Sequence, residues 1–146
     1  MIYGHTFLGH GGEWYLSNIK EEYGLGVYTH SALGPKELIY RYGIYDEIIG
    51  RISAFNPEIT DKELKRIRSS LWVIFDGISS HNGELSDSEI RPNLEKTESG
   101  FEEEILRSHT EKGFDRKIMP ATIEGSLIRM CDKIAYIPSD MLDRTL

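Results

Sequence analysis

The chain has 146 residues, 39% hydrophobic and 28% charged, with 14 Gly and 5 Pro. That is enough for one domain with its own core, and it excludes a collagenous, low-complexity or wholly disordered chain. Twenty-four acidic against seventeen basic residues give a formal net charge of −7, so no overall basic field exists to attract bulk nucleic acid or an anionic membrane, although a local pocket for one nucleotide is not excluded. The single cysteine, Cys131, allows neither an internal disulfide nor a cysteine-rich zinc site. No apolar run approaches the roughly 20 residues that span a bilayer, and the N-terminus lacks the basic-then-apolar pattern of a secretion signal. The expectation is a cytoplasmic protein without a membrane segment.

From Met1 to about Ser31 the sequence is rich in Gly, His and aromatic residues without a helical period, which predicts an ordered loop with at most short helical turns. Pro35 is placed as an early helical residue, and Leu38, Tyr42, Tyr45, Ile49 and Ile52 then recur at helical steps, predicting one amphipathic helix of about five turns that ends near Asn56-Pro57. Thr60-Asp61-Lys62-Glu63 is a capping box, followed by Leu64, Ile67, Leu71, Ile74, Phe75 and Ile78. A second long helix is therefore expected to about Ser80, stopped at His81-Asn82-Gly83, where Asn or Gly can take the left-handed cap conformation. Residues 83–99 are polar and read as a loop, with a weaker helix over about Gly100 to Lys112 built on Phe101 and Ile105. After Pro120, the stripe Ile123, Leu127, Met130, Ile134 predicts a third strong helix that Pro138 bends or ends. With no strand-like alternation and no internal repeat, the expected class is all-α, a single domain over 1–146 arranged as an orthogonal bundle-like array.

Five histidines are present, at positions 5, 10, 30, 81 and 109, and four of them lie in expected loops or at helix ends beside Gly, Asn or Ser. Histidine suits metal ligation, acid–base work near neutral pH and, when protonated, the holding of a phosphate oxygen. A lone loop histidine is more often a plain surface residue; His81 could simply complement a helix dipole, and His109 has only the plain reading. In Gly4-His5-Thr6-Phe7-Leu8-Gly9-His10-Gly11-Gly12-Glu13 the glycines let backbone pass close to a ligand, and Glu13 is near enough to orient His10 as carboxylates orient catalytic imidazoles. Asp132 lies about 180° from the apolar stripe at roughly 100° per residue. It is thus either a solvated aspartate beside Lys133 or, with Tyr136 and Asp140 after it, one wall of a polar groove.

The Gly4–Glu13 segment, Tyr28-Thr29-His30-Ser31 and Cys131-Asp132-Lys133-Ile134-Ala135-Tyr136-Ile137-Pro138-Ser139-Asp140 together resemble the HD-domain phosphohydrolases, in particular their deoxynucleoside triphosphate triphosphohydrolase branch. Ile78-Ser79-Ser80-His81-Asn82-Gly83-Glu84 resembles the helix-end histidine that some HD families use for phosphate or a second metal. The resemblance implies an HD-type helical array and hydrolysis of a deoxynucleoside triphosphate to nucleoside and tripolyphosphate, with a divalent metal (Mn, Mg or Fe). By that resemblance Asp132 is a metal ligand, and His10, oriented by Glu13, is the acid–base residue. His5 and His30 contact phosphate, His30 among the catalytic groups, while His81, Tyr136 and Asp140 bind substrate, the last two at the sugar.

The family's metal-binding His-Asp doublet has no counterpart, since Met1 and Ile2 stand where it would fall. The N-terminal helices of the array would then be missing, metal would be held weakly or not at all, and this chain would be inactive, either as a truncated form or as a pseudoenzyme. An uncovered apolar face would favour a homo-oligomer. Two other readings stay open: a non-catalytic nucleotide-binding or regulatory module, and a hydrolase of another phosphoester such as a signalling nucleotide or a monophosphate. The expected partner in each is a small phosphorylated molecule.

Overall fold

The computed structural model describes residues 14–16, 18–19, 22–24, 26–82 and 91–143, with side chains as far as 135. Among the described residues all regular structure is helical, as the periodicity predicts, and no helix is long and apolar enough to cross a membrane. The elements are α1 (His30–Lys36), a π-helical turn (Glu37–Arg41), α2 (Ile44–Phe55), α3 (Asp61–Arg68), α4 (Trp72–Ser79), α5 (Glu98–Thr110), a 3-10 turn (Asp115–Lys117) and α6 (Ile123–Asp143).

Two helices expected to be continuous are each broken. Pro35 lies inside α1 rather than at its start. A proline there supplies no N–H and crowds the preceding turn; the backbone widens into the π turn, closed by Tyr42 N–H to Glu37 O at 3.1 Å. Gly43 then takes φ 59°, a left-handed value that side chains other than glycine's resist. The apolar phase resets at this point, which leaves Tyr42 exposed while Tyr45 is buried. The second expected helix begins as predicted, with the Thr60–Glu63 capping box fully formed. It is interrupted after Arg68, where the Ser69 and Ser70 hydroxyls both donate to the Arg66 carbonyl and offer the backbone an alternative to the helical ladder.

Helix α4 is central, packing against α1, α5 and α6. Its Phe75 joins Ala32, Tyr45, Leu71, Phe101 and Ile105 in the apolar core, with Tyr45 and Phe75 ring centroids 5.4 Å apart. α4 ends near Ser80 as predicted, but Asn82 does not supply a left-handed cap, since every positive φ among the described residues belongs to a glycine. Its side chain is used elsewhere, as shown below.

The largest departure concerns α6. The stripe predicted to face the core is exposed: Ile123 by 63%, Leu127 by 54%, Ile134 by 59%. The side turned inward carries Gly125, Ser126 and Arg129, all buried, and then the half-buried Asp132 and Lys133. Close approach explains the reversal. α4 and α6 meet at Gly77 and Gly125, where a Cβ added to Gly77 would stand 3.6 Å from Gly125 Cα, and one added to Gly125 only 2.7 Å from Pro120 Cβ. A larger side chain does not fit at Gly125 itself, while Ile128 Cδ1 borders the seam on the Gly77 side. α6 also runs through Pro138 to Asp143, so the proline does not end it; one lost ladder bond is compatible with a helix that bends locally.

A buried ionic cluster ties these parts together. Asp76, 1% exposed, accepts from the Lys96 ammonium at 2.8 Å with one oxygen and from the Ala121 N–H at 2.6 Å with the other. Lys96 also donates to Glu104 at 2.7 Å and to the Met119 carbonyl. Burial raises the Glu104 pKa, against the opposing pull of Lys96.

Two outcomes follow for stability in denaturant melts. Lys96→Met, which strands a buried carboxylate, should cost about 3–5 kcal/mol. Glu104→Gln keeps an acceptor for Lys96 and should leave stability at neutral pH unchanged or higher. Because the Glu104 pKa is raised in the fold, what this group contributes is present below the ordinary glutamate value and falls as pH rises through the folded one. Equal losses from both variants would contradict the assignment. Gly125→Ala should cost about 1–3 kcal/mol through overpacking, whereas Gly77→Ala, which meets only ordinary contacts, should be neutral or stabilising through helix propensity.

Candidate functional site

Histidines 30 and 81 lie 51 residues apart in sequence, yet their Nε2 atoms are 3.0 Å apart. Both are almost completely buried, at 1% and 3% exposure. His30 opens α1, after Thr29 in extended conformation, and His81 follows the end of α4. The packing of α1 on α4 thus brings two helix ends, and two imidazoles, together.

Proton positions in the neutral pair follow from the partners. His81 Nδ1 contacts the Ile78 carbonyl oxygen, which can only accept, so Nδ1 carries the hydrogen and Nε2 presents its lone pair. His30 must then donate Nε2–H to His81 Nε2. Adding a proton would convert the contact into an imidazolium donating to an imidazole, one positive charge held between two rings.

His81 also lines a cavity of about 410 Å³ with Leu127, Ile128, Cys131, Asp132 and Ala135 of α6. Asp132, half-buried, and Leu127 of the exposed stripe both border it, so the cavity opens along the flank of α6. The cavity wall is mostly aliphatic, with one imidazole and one carboxylate among its lining residues.

Around the pair lies a second layer of polar groups. Asp115, on the 3-10 turn, accepts at a single oxygen, Oδ2, from the Thr29 hydroxyl at 3.1 Å and from the Asn82 amide at 3.0 Å. With its hydrogen committed to Asp115, Thr29 Oγ1 accepts from Ser31 Oγ at 3.0 Å. Thr29 and Ser31 flank His30, and Asn82 follows His81. Sequence reasoning missed Asp115, Thr29 and Asn82. Thr29 reads as an ordinary helix cap, although its hydroxyl does not cap α1, and nothing local marks Asp115.

Of the residues singled out from sequence, His30, His81 and Asp132 are thus assembled around one region. His5, His10 and Glu13 lie outside the described residues, as do the side chains of Tyr136 and Asp140. His109 stands apart, on the last turn of α5, where its carbonyl accepts from the Val27 N–H at 2.8 Å. Gly26 permits this approach, because it has φ 82° and a Cβ there would lie 2.8 Å from the same oxygen. The His109 ring is half-buried against the same segment, with Nδ1 3.5 Å from the Val27 carbonyl oxygen. Among the described residues no group of three His, Cys, Asp or Glu converges in a way that could hold a metal ion.

The tautomer assignment has a direct readout. Long-range ¹H–¹⁵N correlation at neutral pH should show His81 protonated at Nδ1 and His30 at Nε2; a His81 ring protonated only at Nε2 would overturn the pair as described.

No family model matches the chain, and neither a curated protein nor a solved structure does so.

Proposed function

We propose that this chain holds the phosphate of a nucleotide and belongs to the metal-dependent nucleotide phosphohydrolases, acting on a deoxynucleoside triphosphate. The observation that carries the reading is the buried His30–His81 contact at 3.0 Å beside the cavity that His81 shares with Asp132. If the Nε2–Nε2 contact opens, His81 Nε2 is released toward the cavity and can hydrogen-bond a phosphate oxygen as an N–H donor. Leu127, Ile128 and Ala135 offer the sugar or base an apolar wall. The motif resemblance supplies the substrate class, and His5, His10, Glu13, Tyr136 and Asp140 enter the reading through that resemblance alone.

The resemblance also implies a divalent metal. Asp132 is the one metal ligand it identifies here, and the described residues do not by themselves form a metal site. No chemical step is therefore routed through a metal, and the reading concerns the holding of phosphate and its orientation.

Thermal melts with inorganic tripolyphosphate and with each deoxynucleoside triphosphate test it. At a hundred times Kd, ligand binding to the folded state adds about 2.7 kcal/mol, which for a chain of this length is a rise of several degrees. The rise should disappear in His81→Ala. Equal shifts in wild type and His81→Ala, or no shift in wild type, would overturn the reading. Release of tripolyphosphate with added Mn²⁺ then separates hydrolysis from holding.

A further inference from the structure

We infer that Asp115 is the positioning residue of the histidine pair, acting through Thr29 and Asn82 rather than by touching a ligand. Its carboxylate is nearly buried, at 7% exposure, and one oxygen receives both hydrogen bonds. The two donors come from the two segments that must meet. Thr29 immediately precedes His30, and Asn82 immediately follows His81. A single acceptor atom thus clasps the start of α1 to the end of α4 from a third segment, the turn between α5 and α6.

The rest of the local packing does not substitute for this clasp. The Thr29 hydroxyl is turned away from the capping role its position offers, and Ser31, fully buried, completes the chain by donating to it. Ser80, also fully buried, returns its hydroxyl to the Gly77 carbonyl within α4 and does not reach α1. The Nε2–Nε2 contact and the Asp115 bridge both cross-link the segments flanking the two histidines. Side-chain shifts of under an ångström separate a hydrogen-bonded imidazole pair from two unrelated rings, and groups outside a site commonly fix ring orientation in this way.

The inference rests on the proposed role of the pair only for its biological meaning, and its test does not require ligand binding. The wild-type chain should show a deshielded, slowly exchanging His30 Nε2–H proton in the ¹H spectrum. Asp115→Asn retains an oxygen that can accept from both donors and should keep that signal; Asp115→Ala should lose it while the remaining amide spectrum and the melting transition persist. Thr29→Val and Asn82→Ala each remove one arm and should each weaken the signal, which keeps the test decisive if Asp115→Ala fails to fold. Retention of the signal in Asp115→Ala, or in both one-arm variants, would overturn the inference, as would its absence from wild type. In tripolyphosphate titrations, Asp115→Ala should weaken binding at least tenfold relative to Asp115→Asn. A wild-type chain that shows the signal but binds no tripolyphosphate would defeat the nucleotide reading and leave the positioning role standing.

Discussion

A carboxylate removed from water must find charged or hydrogen-bonding partners, and much of the arrangement of this chain follows from how Asp76 finds them. One oxygen takes the Lys96 ammonium and the other the Ala121 N–H, so α4 is fixed to the segment before α5 and to the segment leading into α6. Lys96 extends the link to Glu104 on α5. Such a cluster contributes little net stability compared with an apolar replacement, but it tolerates few alternative registers once formed. Asp76 lies five residues before His81, and Ala121 lies eleven before Asp132. The separation of the two helices that wall the cavity is therefore held by a directional contact as well as by packing.

The two central helices have a dry side and a polar side. On α1, Ala32 belongs to the apolar core while His30 and Ser31 are buried among polar groups; on α4, Phe75 faces the core while Asp76, Ser79 and Ser80 are buried with hydrogen-bond partners. Burying so many polar groups costs free energy unless each is satisfied. The polar side includes the histidine pair and the Asp115 clasp, whereas the opposite side supplies the hydrophobic driving force. That division lets the site keep a demanding geometry without interrupting the apolar cluster.

What was legible in the sequence was local. The Thr60 capping box, the end of α4 near Ser80 and the burial of Phe101 and Ile105 follow from neighbours within a turn or two, and all are observed. The break at Gly43 was missed because a continuing apolar rhythm outweighed one glycine, although it is the glycine that carries the left-handed backbone. On α6 the period agrees with the structure and the face does not: hydrophobic periodicity assumes that the largest apolar side chains seek the interior, whereas the position closest to α4 and Pro120 is Gly125, which has no room for one. Asp132 was placed correctly opposite the stripe, and that same reversal turns it inward. His30 and His81 stood out through their neighbours, but their meeting depends on the packing of α1 against α4, and Asp115 joins segments far apart in the chain. No window of sequence contains those relations.

The contrast between Lys96 and the histidine pair shows why imidazoles suit the proposed site. The fold surrounds Lys96 with two carboxylates and a carbonyl; a lysine so paired has little attraction left for an incoming anion. In an imidazole pair one ring can donate to the other, which is the contact His30 and His81 make through Nε2. With a formal charge of −7, the chain as a whole repels a triphosphate at long range, so attraction must come from groups met at contact distance. A hydrogen bond from a buried imidazole N–H to the anion would be little screened, since burial lowers the local dielectric and strengthens each such bond. A fixed cation in the same position would require a permanent partner and would lose, by being paired, the property that made it useful.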